Sequence, residues 1–350
     1  MERTTQSVLK ISDQLKDAAK SKVPDFKEFD GNFATTISTG STLLDLAISG
    51  SRTREGGLPG GIFVEIFGPS GAGKTVLLCE IAGSVQRQGG QVMFRDPEAR
   101  LDKVFASIFD LDMAQIEYDT PSTVPEVFAP IRKWNPEPDN VIHGVFADSL
   151  AALTTAMEIE DKDAYGMRRA KEFSEESRKT CRVLADKNFL MVCSNQIRQK
   201  IDAGPFEQKT TTPGGEAVGF YASLRLRCSR GTKIKDETTV AGKTIKRVVG
   251  ITTQIDVFKS SIDKPFRAAP ITILFDYGID DVRENLKFCK DYTTNTSYCI
   301  GERKLHAHLK RSIQLVEEQG LEKELREATI ILWNEIEARF DSQRKKKERV

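Results

Sequence analysis

Three observations predict an α/β fold with a mostly parallel central sheet. Short apolar runs at residues 62–67, 91–96, 141–149 and 189–194 alternate with stretches of helical spacing, the pattern of strands joined by crossover helices. One of these runs feeds a glycine-rich loop that opens directly into a helix. Two others end in a polar side chain, Asp148 and Gln196, where an open parallel sheet presents its ligand edge.

Taken in order, residues 1–22 place Val8, Leu9, Ile11, Leu15 and Ala18 on one helical face before Lys22-Val23-Pro24 ends the pattern. This predicted N-terminal helix and its linker, residues 1–34, can pack on the chain's own core or on a neighbouring subunit. Ser41 or Thr42 can cap a short helix, and the glycine-rich stretch 56–61 turns the chain into the first strand. That strand leads into Gly68-Pro69-Ser70-Gly71-Ala72-Gly73-Lys74-Thr75, which satisfies G-x-x-x-x-G-K-[ST] at every fixed position. Val76, Leu77, Leu78, Ile81, Ala82 and Val85 then follow helical spacing. The chemistry requires this arrangement: glycines let backbone N–H groups converge on anionic oxygens, and the helix dipole adds partial positive charge. Lys74 reaches the β- and γ-phosphates, and the Thr75 hydroxyl ligates Mg²⁺.

Glu98 follows the strand at 91–96. At that position it either polarises a water for attack on the γ-phosphate or is a helix N-terminal acid favoured by the dipole, and position alone does not choose. Residues 101–133 read as helical stretches with short turns, and 135–140 as a loop. The strand at 141–149 ends in Asp148-Ser149, the Walker B arrangement, in which Asp148 holds Mg²⁺ through water or the Thr75 hydroxyl. A charged amphipathic helix at 171–187 precedes the strand at 189–194, and Gln196 sits level with the γ-phosphate, where an amide can sense its presence. Residues 197–215, with Arg198, Lys200, Lys209, threonines at 210–212 and Gly214-Gly215, have no apolar periodicity, so this long stretch is functional or disordered. Strand-like runs follow at 222–229, 246–259 and 270–277. From Arg283 two helices are expected, and residues 341–350 form a basic tail, either a solvated end or a binding element. The expected division is 1–34, a core at 35–282, a small C-terminal domain at 283–340 and the tail.

Composition narrows the class without naming a partner. Lys+Arg 52 against Asp+Glu 51 gives a net charge of +1, so no overall field directs the chain to a polyanion. Six cysteines occur without a C-x-x-C pair, which points away from zinc and from a disulfide framework and toward a reduced, cytoplasmic protein. No run approaches about 18 apolar residues, so no membrane span is expected.

The ordered set Ile37-Ser38-Thr39-Gly40-Ser41, Gly57-Leu58-Pro59, Val64-Glu65-Ile66-Phe67-Gly68-Pro69, 148–154, 195–201 and 220–226 resembles the bacterial RecA family of homologous-recombination ATPases, over roughly residues 35–285. The resemblance implies a RecA-like P-loop ATPase core, an N-terminal oligomerisation helix, ATP and Mg²⁺ as ligands, and a filament on single-stranded DNA that pairs with homologous double-stranded DNA and exchanges strands. It assigns Glu98 as the base for the attacking water and Gln196 as the γ-phosphate sensor. Phe105 stands where the family stacks a tyrosine on adenine, Asp102 lies near the adenine amino group, and Asp148 and Ser149 complete the nucleotide site. Residues 161–169 and 197–215 match the family's two DNA-binding loops, with Lys171 and Arg178 as basic contacts and Phe206 as the aromatic of the second loop, beside Arg198, Lys200, Lys209, Thr210, Gly214 and Gly215. Lys259 matches one of two lysines that reach the neighbouring subunit's γ-phosphate; Ser261 replaces the other. A ring-forming motor ATPase such as a helicase, and a nucleotide switch that binds only proteins, are the alternatives for the same core.

Overall fold

The strand that precedes the glycine-rich loop lies in the middle of the sheet. This β1 (Phe63–Gly68) is buried along its whole length, as a strand covered on both faces must be. The structure is a computed structural model and describes residues 33–154, 167–199, 210–213, 216–340, 342, 344 and 347. The helix expected within 1–22 lies outside the described residues, as do most of the first loop and most of the basic tail.

β1 is flanked by β5 (Leu190–Gln196) and β8 (Leu224–Cys228), both parallel to it. Beyond β5 come β4 (Gly144–Ala147), β2 (Val92–Arg95) and the edge strand β3 (Ile116–Asp119), again parallel. Parallel neighbours need long crossovers. Helices α2 (Lys74–Arg87), α3 (Lys103–Ser107), α4 (Val124–Lys133) and α5 (Met167–Lys187) supply them, with a short α1 (Thr42–Ser49) ahead of β1. Past β8 the sheet turns antiparallel through β10 (Lys243–Ser260), β11 (Ala268–Leu274) and β12 (Gly278–Ile279).

The period of two along each strand divides the core. Phe63, Met93, Val145 and Met191 face a cluster with Val127, Phe128 and Ile131 of α4 and Phe173 and Leu184 of α5. The alternate residues Phe94 and Phe146 stack at 6.1 Å on the other side, the side covered by α2 with its buried Leu77, Leu78 and Ile81. Ser41 caps α1, its hydroxyl accepting from the Leu44 N–H.

Three elements differ from expectation. The stretch 101–133 contains β3, whose exposed Glu117, Tyr118 and Asp119 give an edge strand no apolar alternation to read. Between the expected strands at 222–229 and 246–259 runs β9 (Thr232–Val240), exposed almost throughout and specified by pairing with β10 rather than by burial. The C-terminal part has three helices, not two: α7 (Asp281–Asp291), α8 (Leu309–Gln319) and α9 (Glu322–Arg339), with a hairpin of β13 (Cys299–Ile300) and β14 (Arg303–Lys304) after α7. Val282, Leu286, Ile300, Ile313, Val316 and Leu325 close a cluster of their own there. Gly320, at φ 62°, breaks the last two helices apart.

Candidate nucleotide and nucleic-acid sites

Because β1, β2, β4 and β5 run parallel, their C-terminal ends converge on one edge. The register sets Gly68 beside Gln196 and Arg95 beside Ala147, one residue before Asp148. At that edge the loop from Gly68 to Thr75 turns through Gly71 and Gly73 at φ 71° and 85°. At Gly73 the left-handed φ is what disfavours a side chain, and a Cβ there would also lie 2.3 Å from Ile273 Cδ1, whose side-chain end would have to shift. Pro69, Ser70 and Ala72 complete the loop, and the first turn of α2, which starts where the loop ends, has backbone N–H groups without intrahelical acceptors, as the start of any helix does. Lys74 is buried, and its Nζ donates to the carbonyls of Gly68 at 3.1 Å and Pro69 at 2.8 Å. Burial pushes the Lys74 ammonium below its ordinary range, against the pull of Asp148 and Glu98.

Thr75 Oγ1 donates to Asp148 Oδ2 at 2.6 Å, and Ser194 Oγ donates to Asp148 Oδ1. Burial raises the Asp148 carboxyl; the two hydroxyls pull it down, and Asp96 and Glu98 push it up again. The donor set fits Mg²⁺: a hydroxyl and a carboxylate oxygen on one side of the phosphate loop are hard ligands. A buried carboxylate without an ion pair among the described residues gains from a divalent cation. Asp148 and Ser149 are joined by a cis peptide bond, and Ser149 Oγ donates to Glu98 Oε1 at 2.9 Å. Glu98 Oε2 lies 2.5 Å from Arg100. Sequence reasoning missed Asp96, whose Oδ2 accepts from the Arg100 and Leu101 N–H groups and from Tyr118 Oη, shaping the turn that carries Glu98.

Asp102 caps α3, accepting from the Phe105 N–H at 2.8 Å, and Phe105 meets Phe109 edge-on at 5.0 Å. The structure therefore gathers Lys74, Thr75, Asp148, Ser149 and Glu98, with Gln196 aligned beside Gly68 and Asp102 two residues beyond Arg100. It does not bring Lys259 to them. Lys259 Nζ instead donates to the carbonyls of Gly219, Phe220 and Ala222, at the C-terminal end of helix α6 (Glu216–Tyr221). Burial lowers the Lys259 ammonium, and Arg225 lowers it further.

A second missed group lies under the phosphate-loop strand. Glu65, fully buried in β1, accepts from Arg225 Nε at 2.6 Å and from Asn195 Nδ2 at 2.9 Å. Asn195 Nδ2 also donates to the Pro213 carbonyl at 3.1 Å, and the Arg225 guanidinium covers the Phe67 ring at 4.5 Å. A charge inside an otherwise apolar strand was the available signal, because a buried carboxylate requires partners.

Of the expected nucleic-acid contacts, Lys171 and Arg178 are exposed on α5. Arg198 and Thr210 belong to a two-stranded ribbon, β6 (Arg198–Gln199) and β7 (Thr210–Thr211), that closes the base of the 197–215 segment. Lys200, Phe206, Lys209, Gly214 and Gly215 lie outside the described residues. Among the described residues, no helix is long and apolar enough to cross a membrane.

Among solved structures, the chain is similar to the crystal structure of the RadB recombinase, at 18% identity and a TM-score of 0.48, over 70% of this chain and 98% of that one. The family model described as the RecA N-terminal domain matches residues 8–280. With the phosphate loop, Glu98 and Asp148 all inside that match, the chain belongs to the RecA family of recombination ATPases.

Proposed function

We propose that this chain hydrolyses ATP with Mg²⁺ to control a filament on single-stranded DNA that pairs with homologous duplex and exchanges strands. The observation that carries the reading is the meeting of Glu98 and Asp148 beside the phosphate loop, one held by Ser149 and the other by Thr75. Lys74 leaves the Gly68 and Pro69 carbonyls for the β- and γ-phosphates, which are stronger acceptors. Mg²⁺ held by Thr75 and Asp148 would neutralise charge that develops on the phosphates. Glu98 Oε1, oriented by the Ser149 hydroxyl, takes the proton of the attacking water.

The route to the DNA segment is short. β5 ends at Gln196, level with the loop, and the chain passes within two residues into β6. Asn195 ties the far end of the same segment through the Pro213 carbonyl. A γ-phosphate that draws Gln196 toward itself thus acts on the base of the 197–215 segment, which is how nucleotide state reaches the strand. In the filament, Lys259 exchanges its three carbonyl acceptors for the neighbouring subunit's nucleotide.

Lys171 and Arg178 supply phosphate contacts in this reading. Neutralising both to Gln is expected to weaken binding equally for all single-stranded sequences and to flatten the slope of log affinity against log salt by about 1–2. Titration of labelled oligonucleotides at several salt concentrations measures this. An unchanged slope in a variant with a normal circular dichroism spectrum removes α5 from the DNA site.

A further inference from the structure

The turn that carries Glu98 also carries a cation that the mechanism above does not use. β2 ends at Arg95, and the chain then folds back on buried Asp96, whose Oδ2 accepts from the Arg100 N–H at 2.7 Å and the Leu101 N–H at 2.8 Å. The Ala99 N–H donates to the Asp96 carbonyl at 3.0 Å, and Ala99 itself takes φ 51°. These bonds fix the backbone of the turn, and the side chains of Glu98 and Arg100 meet across Ala99. Arg100 Nη2 lies 2.5 Å from Glu98 Oε2, while Ser149 Oγ donates to Oε1. Both oxygens of the proposed base are therefore engaged.

The Arg100 contact is a poor structural ion pair. Its side chain is 71% exposed, against 15% for Glu98, and a pair with one partner so exposed contributes little to stability. The contact is one of charge without an aligned hydrogen bond, since Glu98 Oε2 has no hydrogen-bond partner of good geometry among the described residues. The planar fork of a guanidinium suits two parallel bonds to one anion, and here it is left unmatched. Lys74 and Lys259, by contrast, are seated on two and three backbone carbonyls respectively.

The ligand edge is also strongly anionic. Asp96 and Glu98 lie near enough to Asp148 to push its carboxyl up, and a bound triphosphate adds to that charge. A carboxylate that activates water for attack on the γ-phosphate faces another anion across that water. A cation anchored through its backbone, with a free and exposed side chain beside the base, is placed to bridge the two.

We propose that Arg100 is a catalytic cation acting in cis: with ATP in the loop, its guanidinium turns from Glu98 Oε2 to the γ-phosphate of the same chain. The move frees the base and offsets the charge that develops during transfer. The reaction itself is unchanged: the water oxygen bonds to phosphorus, the bond to the β-phosphate oxygen breaks, and the proton of the water goes to Glu98. The proposal rests on the ATPase reading given above and adds a residue to it.

The test uses the full chain with single-stranded DNA and Mg²⁺, and compares Arg100→Ala and Arg100→Lys with the unaltered protein. Arg100→Ala is expected to lower kcat by about 10²-fold, the scale for one lost transition-state donor, with KM and ADP affinity unchanged. Affinity for ADP with aluminium fluoride, which mimics the phosphoryl group in transfer, should fall by about tenfold or more. Arg100→Lys should lie between, because it keeps the charge and loses the fork. The same loss of analogue affinity should appear when Arg100→Ala is placed on a Glu98→Gln background, since the cation meets phosphate as well as carboxylate. An unchanged or faster kcat in Arg100→Ala overturns the proposal and leaves Arg100 as a restraint on Glu98. So does a loss of analogue affinity that disappears on the Glu98→Gln background, or an equal loss for ADP and the analogue. If the unaltered chain hydrolyses no ATP, the ATPase reading fails and the proposal with it; an active chain with an indifferent Arg100→Ala variant fails the proposal alone.

Discussion

Glu98→Gln is expected to slow ATP turnover by about 10²-fold or more while leaving nucleotide binding and assembly intact, because the amide keeps the shape and the Ser149 contact but cannot take a proton. Lys74→Ala should act earlier, weakening nucleotide binding and assembly together, since it removes the cation that meets the β- and γ-phosphates. Steady-state hydrolysis and equilibrium binding of a labelled ATP analogue separate the two. Hydrolysis by Glu98→Gln at the unaltered rate means that the base is another group.

Arg225→Met should destabilise the fold by about 3–5 kcal/mol, the scale for leaving one member of a buried ion pair uncompensated. Glu65 has no exposure, and its remaining donor, Asn195, is shared with the Pro213 carbonyl. The double variant Glu65→Gln, Arg225→Met should recover most of the loss, because no charge is then left without a partner. Urea unfolding of the unaltered chain, Arg225→Met, Glu65→Gln and the double variant at one pH measures the cycle. A single variant that costs under about 1 kcal/mol would mean that water reaches Glu65 when Arg225 is gone.

The phosphate loop and its strand and helix were legible because glycine, lysine and threonine at fixed offsets have a local cause, and the parallel sheet because its buried strands read as apolar runs. Glu98 was placed at the correct edge by following a strand end, yet its role was undecided until family resemblance was added, since the Ser149 contact joins residues 51 positions apart. Ser194, Asp96 and the identity of Arg225 as the partner of Glu65 were not legible for a related reason. Each acts through a partner on an adjacent strand or loop, and strand order, 8-1-5-4-2-3 across the parallel part, is not encoded in local periodicity. The β9–β10 arm escaped because burial-based patterning cannot see a ribbon with two wet faces. Lys259 shows the converse: resemblance named its role in an assembly, and the single chain places it on the carbonyls of α6 instead.

Electron microscopy of the chain mixed with single-stranded DNA, Mg²⁺ and a non-hydrolysable ATP analogue shows the assembly itself. Extended helical filaments are expected that require both DNA and nucleotide and that shorten or vanish when ADP replaces the analogue. Closed rings of fixed subunit number, or particles that do not change when DNA is added, would contradict it.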